Sequence, residues 1–493
     1  MSEQLNKTVK GISSQTVVTI ILGLLELLVF SLMSRLLTKA EFGYYAAILS
    51  VVMIFRSLAE AGIGASVIQK HNADKEFVNS AYSLSLIVGC LATLVVVSFS
   101  GILADFIADE TIRLPLILLS LTLIPYSLNS VYRGLFLKEL HFLKVGIFQI
   151  VAFVISNSIA IAMAIMGYGL YAIVTGNILN IILQNLILRI ALKDKLRFQI
   201  SQKKVREIIG FGGWLTLSRL TGTIYAQIDK ILMAKWVSIV ELGNFYRIRG
   251  IIEAFNTQIG GIYDVVLFPV LSRIQDNKQA IQNAYIKSLN LGCIFFSYLF
   301  LTFFFNAKLI IFIFLGEKWT DQILLFRVLS LSMLFYFITR FADCFIRSLA
   351  LVKFGFFIKL LSCAMLIAAI YFSYSNGVIF IALSVVLVNL LSAIIKTIYL
   401  CRHADLSLMT LLVKTSRGLI YSIPLVVLGI VYMAYFEDSY VYAILFMIVY
   451  AICSITLFLC CPALLGEVYQ KELYPIMQNY KQLFLNRFTH ETI

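Results

Sequence analysis

Arg219 and Lys230 stand eleven residues apart. That is close to three helical turns, so both cations share one face, roughly 16 Å apart along the axis. They fall in an otherwise apolar stretch, where an ionisable side chain is costly and is a functional candidate by default. Two cations on one stripe suit a wet cavity better than hydrocarbon. An arginine there favours phosphate, because its planar fork matches two oxyanion positions at once. Asp229 points to another face and is a poor partner for Arg219.

Further ionisable residues lie in apolar stretches: Glu26; Arg56 with Glu60; Arg247, Arg249, Glu253 and Asp264; Arg340 and Asp343. Arg56 and Glu60 are four apart, as are Arg249 and Glu253, so each pair can close on one helix face. Such pairs either hold helices together or serve a ligand. Arg340 precedes Asp343 by three, and Asp343 precedes Arg347 by four. Arg247 has no acid three or four residues away, and either faces a cavity or snorkels from a helix end. Glu26 has no local partner; it is either an ion-coupling carboxylate or a protonated or interhelically bonded acid. The candidate ligand-binding set is therefore Arg219, Lys230, Arg247, Arg249, Arg56 and Arg340. The candidate coupling set is Glu26, Glu60, Asp229, Glu253, Asp264 and Asp343. The cations suit an anionic, phosphate-bearing cargo.

The elements that must position these groups are membrane helices. The 493 residues are 60% hydrophobic and 13% charged, with a mean hydropathy of +0.92. A soluble chain is nearer one quarter charged, and the bilayer must supply the missing apolar environment. Apolar runs of ~20 residues without alternation match helices crossing ~30 Å of hydrocarbon, not barrel strands. The fold class is thus all-α and polytopic, with about fourteen spans: 12–37, 43–68, 78–104, 112–136, 143–166, 169–192, 208–234, 243–271, 287–315, 322–346, 354–374, 377–400, 416–436 and 440–465. The first run, about Gly11 to Leu37, is too long for a cleavable signal core. The eight cysteines lie in apolar stretches without metal or redox spacing and read as small buried hydrophobes.

Basic residues orient the spans. About 27 of the 40 Lys and Arg fall in alternate loops, among them Lys70 and Lys75, the 189–206 stretch, and Lys396, Arg402, Lys414 and Arg417. About seven fall in the opposite loops. This asymmetry puts both termini in the cytoplasm and requires an even helix count. The acidic turns 105–110 and Glu437-Asp438 fall outside. The net charge of +14 is then topology signal, with some attraction to anionic membrane lipid, and needs no nucleic acid.

A duplication is also visible. Glu41-Phe42-Gly43-Tyr44-Tyr45 is similar to Glu241-Leu242-Gly243-Asn244-Phe245-Tyr246, offset by 200. Tyr132-Arg133-Gly134-Leu135 is similar to Ile346-Arg347-Ser348-Leu349, offset by 214. The organisation is a six-helix half at 1–192, a basic linker at 193–207, a second half at 208–402, two added helices at 403–465 and a tail at 466–493. The repeats are parallel, an arrangement in which transporters bind cargo between halves and rock. Gly62 and Gly64, and Gly260 and Gly261, occupy equivalent spans as hinges or as close-packing sites.

Three stretches carry a family resemblance. Ser34 to Tyr45 resembles the first loop of bacterial polysaccharide-unit flippases of the O-unit, colanic acid and teichuronic acid type. Ala59 to Gln69 resembles the end of their second helix. Phe211-Gly212-Gly213-Trp214 through Asp229-Lys230 to Glu241-Leu242-Gly243 resembles the start of their second half. These flippases belong to the multidrug/oligosaccharidyl-lipid/polysaccharide exporter superfamily, and the resemblance covers the chain. It implies a V-shaped transporter, without enzymatic activity, cofactor or metal, that moves an undecaprenyl-diphosphate-linked oligosaccharide across the bacterial inner membrane. It implies coupling to H+ or Na+, and a polysaccharide polymerase and chain-length machinery as partners. A lipid II flippase would differ in the sugar. A drug exporter of the superfamily would carry more acids and fewer arginines. A polymerase or ligase would need a larger outside loop than the ten or so residues found here.

Overall fold

Long apolar runs bounded by Asp, Asn, Ser and Thr caps become helices, and helices account for nearly all of the described structure. The computed structural model describes residues 2–460 apart from 61, 71–72, 108–109, 193–194, 421 and 437–438. Outside the described side chains fall Lys7 and Lys10, Lys193, Phe211, Gly212 and Trp214, Gly261, Asp264, Lys414 and Arg417; Asp109 and Glu437-Asp438 lie outside the described residues, as does the tail 466–493.

The chain divides into two compact units. The first comprises Met1–Gly250, Phe314–Lys318 and Lys359–Ile381; the second comprises Ile251–Ile313, Trp319–Ile358 and Ala382–Ile493. In chain order the helices are α1 (Ser2–Leu36), α2 (Lys39–Glu60), α3 (Ile63–Gln69), α4 (Lys75–Ser98), α5 (Ser100–Ile107), α6 (Arg113–Ser120), α7 (Leu123–Lys138), α8 (Phe142–Ile165), α9 (Leu170–Ala191), α10 (Gln202–Trp236) and α11 (Ile239–Arg273). There follow α12 (Lys278–Phe305), α13 (Ala307–Phe314), α14 (Ile323–Ser330), α15 (Ser332–Ser348), α16 (Val352–Ser373), α17 (Val378–His403), α18 (Leu408–Ile420), α19 (Ser422–Tyr435) and α20 (Tyr440–Cys460). In the first unit α8 packs on α9 and α1, α2 on α10, and α4 on α7. In the second, α12 is the hub, touching α15, α18 and α19, with Phe296 stacked on Phe337 at 4.2 Å.

Among the described residues, ten helical stretches are long and apolar enough to cross a membrane, and α19 and α20 add two shorter apolar helices. The chain is a multi-pass membrane protein. α10 and α11 run 35 residues each but carry the charges that keep them below the hydropathy of the others.

Several caps and turns recur between the two stretches that the sequence pairs. Thr38 and Glu41 cap α2 reciprocally: the Thr38 hydroxyl donates to Glu41 Oε2 at 2.9 Å and accepts from the Glu41 N–H at 3.3 Å. Ser238 and Glu241 repeat this capping box before α11, at 3.3 and 3.2 Å. Asp74 caps α4 by accepting from the Phe77 N–H, as Asn277 caps α12 by accepting from the Ala280 N–H. α7 and α15 end in the same left-handed turn, with Leu140 and Ala350 at φ 60° and 56°. These turns align Leu140 with Ala350, an offset of 210. The 214 of the motif match is therefore one helical turn out of register at this point. Sequence similarity in a helix cannot distinguish neighbouring turns, whereas a cap can.

The two copies of the first repeated turn pack on one another. A Cβ placed on Gly43 would strike the carbonyl of Ile239, and one on Gly243 would strike the carbonyl of Lys39. At the end of α2, Gly62 takes φ 61° and breaks the helix, whereas α11 continues unbroken through Gly260 and Gly261.

Candidate functional site

Three charged clusters occupy the first unit. α2 brings Arg56 and Glu60 one turn apart, but each turns to another element. The Arg56 guanidinium lies 3.3 Å from the centroid of the Tyr126 ring on α7. Glu60 accepts a hydrogen bond from the Tyr126 hydroxyl and pairs with Arg219 Nη1 of α10 at 3.3 Å. The expected Arg56–Glu60 pairing thus gives way to a four-member network across three helices, because Tyr126 offers the cation a ring and the acid a donor at once. The Arg219 side chain is 50% exposed and is the accessible cation of the group.

Farther along α10, Asp229 is 1% exposed and pairs with Arg249 of α11. Lys230 is also buried, donating to Gln227 Oε1 at 3.1 Å and lying 5.7 Å from the Tyr246 ring centre. The shared stripe of Arg219 and Lys230 therefore does not open evenly on a wet space. Its Arg219 end is accessible, and its Lys230 end is packed in protein.

The third cluster surrounds a cavity of about 220 Å³ among α1, α2, α8, α9 and α11, lined by Glu26, Tyr45, Asn157, Asn177, Tyr246 and Arg247 among others. Arg247 does not snorkel; it is 6% exposed. Its Nε donates to Ser34 Oγ at 2.6 Å, its Nη2 donates to the Phe30 carbonyl, and the Phe30 ring lies 3.5 Å from the guanidinium carbon. Asn177 donates to the Tyr45 hydroxyl. Glu26 lines the same cavity as Arg247, Asn157 and Asn177. Amides, tyrosines and one charge of each sign can bind hydroxyl-rich groups.

In the second unit, Arg340 donates to the Tyr336 hydroxyl at 3.2 Å. Asp343 pairs with Lys396 at 2.8 Å, with the lysine side chain 4% exposed. By sequence Lys396 reads as a loop cation; it lies inside α17 and is buried. Its signal was a lysine placed between the apolar Ile395 and the helix-continuing Thr397–Leu400. Glu253 lies at the start of the second unit's share of α11, and the Asp264 side chain is not described. Among the described residues, no cluster of three or more His, Cys, Asp and Glu is placed to hold a metal.

The architecture is that of a membrane transporter fold. It aligns with a solved lipid II flippase, MurJ in an inward closed conformation, at a TM-score of 0.71 and 16% identity, covering 90% of this chain and 98% of the other. The model of a family described as polysaccharide biosynthesis protein matches residues 32–324, and the chain belongs to that family. A membrane protein in the cps region of Klebsiella pneumoniae is 24% identical over 317 residues, 64% of each chain. The lipopolysaccharide biosynthesis protein WzxC of Escherichia coli (strain K12) is 22% identical over 322 residues, 64% of this chain and 65% of its own. The similarity thus spans somewhat under two thirds of these relatives.

Proposed function

We propose that this protein is a flippase that carries an undecaprenyl-diphosphate-linked oligosaccharide across the bacterial inner membrane for surface polysaccharide assembly, and that it is not an enzyme. The observation that carries this reading is the Arg56–Tyr126–Glu60–Arg219 network, in which one carboxylate pairs with Arg219 while Arg56 lies on the Tyr126 ring, leaving two cations to one acid inside an apolar bundle. A site with surplus positive charge and an accessible arginine suits a diphosphate. The name of the WzxC relative and the family description support the pathway. A drug exporter for cationic cargo would need the opposite balance; a lipid II flippase differs in the sugar and shares the diphosphate.

In this mechanism Arg219, with Arg56, takes the phosphate oxygens, while Lys230, Arg247 and Arg249 set the positive field in the first unit; Arg340 is the further candidate in the second. Glu60 exchanges partners. The diphosphate displaces its carboxylate from Arg219 on binding, and the carboxylate takes Arg219 back as the cargo leaves. Glu26, Asp229, Glu253, Asp264 and Asp343 remain further coupling carboxylates, for H+ or Na+. With α10, α11, α19 and α20 counted as spans, the helices number fourteen, with both termini inside; a polymerase and chain-length machinery receive the product. The test is polymer export and lipid-linked intermediate in cells. Arg219→Gln/Lys230→Gln is expected to abolish export at normal protein level and to leave lipid-linked units on the inner leaflet. Glu60→Gln, fixed in the cargo-holding state, is expected to bind cargo and fail to release it. Normal export by the double variant overturns the site.

A further inference from the structure

A second cavity belongs to none of the clusters above. It measures about 970 Å³ and lies where α4 begins, α7 ends, α8 begins and α9 ends. Its walls carry Lys75, Lys138, Lys144, Lys195 and Arg197, and among the described lining residues the one carboxylate is Glu139. Glu139 sits 3.3 Å from His141 Nε2.

One wall is the stretch 195–199 leading to α10, and it is stitched in place from Arg197 onward. The Arg197 N–H donates to Asn79 Oδ1 at 3.1 Å, the Gln199 N–H to Ser83 Oγ at 2.8 Å and the Ser201 N–H to Ser80 Oγ at 3.2 Å. Alternate residues of an extended segment thus bond to one face of α4. Asn79 also donates from its amide to Gln199 Oε1 at 3.0 Å. Charge alone does not need such anchoring; a solvated basic linker would satisfy its N–H groups with water. The anchoring holds the backbone from Arg197 to Ser201 at a cavity whose lining carries Arg197 together with Lys138, Lys144 and Lys195.

Bulky apolar side chains stand exposed on the same segment and beside it: Phe198 at 61%, Ile200 at 54% and Ile190 at 81%. Exposed apolar groups interleaved with fixed cations match an interface where acyl chains end and phosphates begin. A pocket for a soluble anion would not need them.

We propose that this cavity binds the phosphate headgroup of an anionic phospholipid from the adjoining leaflet, with Phe198 and Ile200 in the acyl region. That leaflet is the inner one under the orientation given above; the binding itself does not depend on the transport reading. Full-length protein in nanodiscs of phosphatidylcholine with phosphatidylglycerol is transferred to mild detergent, and retained lipid is counted by native mass spectrometry. Lys195→Gln/Arg197→Gln is expected to weaken phosphatidylglycerol retention on the order of thirtyfold, from about a factor of five per interfacial cation. Lys138→Gln/Lys144→Gln, elsewhere in the lining, is expected to do the same and serves if the first variant does not fold. Arg273→Gln/Arg402→Gln, with the same charge loss elsewhere, is expected to change retention by less than about twofold. Equal loss in that control, failure of wild type to retain phosphatidylglycerol over phosphatidylcholine, or displacement of the lipid by inorganic phosphate each overturns the proposal.

Discussion

Asp229 and Arg249 are held by each other on adjoining helices, with the carboxylate almost fully buried. Removing one member of a buried pair leaves the other uncompensated, which costs about 3–5 kcal/mol, while replacing both is far milder. Asp229→Asn is expected to lower the thermal midpoint of the purified protein by many degrees, and Asp229→Asn/Arg249→Gln to recover most of it. A double variant no better than the single would mean that the pair contributes nothing as a pair. Outside the membrane, Lys204 hydrogen-bonds Asp74 at 2.7 Å and holds that carboxyl below the usual carboxylate range, assisted by the Phe77 N–H. A lowered folded value means that the stabilisation is present above the unfolded pKa of about 3.9 and fades as pH falls through the folded one. Asp74→Asn keeps the cap and loses the charge. Its melting difference from wild type is expected at neutral pH and to narrow under acid; a constant difference refutes the linkage. The sequence showed which charges lie in apolar stretches but not which meet. Arg56 and Glu60 are correctly spaced for a pair, yet Tyr126, 66 residues beyond Glu60, takes both. Such partners come from packing, which spacing along one helix does not encode.

At the scale of elements, the duplicated turn is the sharpest result. Its capping boxes were present in the sequence as Thr38-x-x-Glu41 and Ser238-x-x-Glu241, and the offset of 200 follows from them. Their mutual packing was not legible, because two glycines in contact leave no side-chain pattern. Gly→Ala inside a helix ordinarily stabilises by about 1 kcal/mol. Gly210 has open space where its Cβ would be and should follow that rule. Gly43→Ala and Gly243→Ala must instead push on a backbone carbonyl, and each is expected to cost about 1–3 kcal/mol, read as a lower melting temperature in detergent. Stabilisation by either would contradict the close approach.

For the whole molecule, hydropathy made the class plain and the spans nearly so. It ranked α10 and α11 poorly because the charges proposed to serve the site are the ones that spoil the pattern, the usual conflict between local rule and function. Domain limits were less legible, since the compact units cut through α11, α16 and α17 where no break in composition appears. The proposed orientation, with both termini inside, predicts that a fluorescent protein fused to the C-terminus fluoresces and that an alkaline phosphatase fused there stays inactive. The opposite pattern would invert the orientation and move the basic cavity to the outer face.

The reciprocal contact of Gly43 with Ile239 and Gly243 with Lys39 has the form of a twofold axis, since each position meets the counterpart of its own neighbour. Two identical subunits make such a contact when they dimerise. A single chain has no need to keep both sides alike. The turn therefore has the symmetry that a dimer of two half-length chains would have, and a side chain added at either glycine meets the backbone of the other copy.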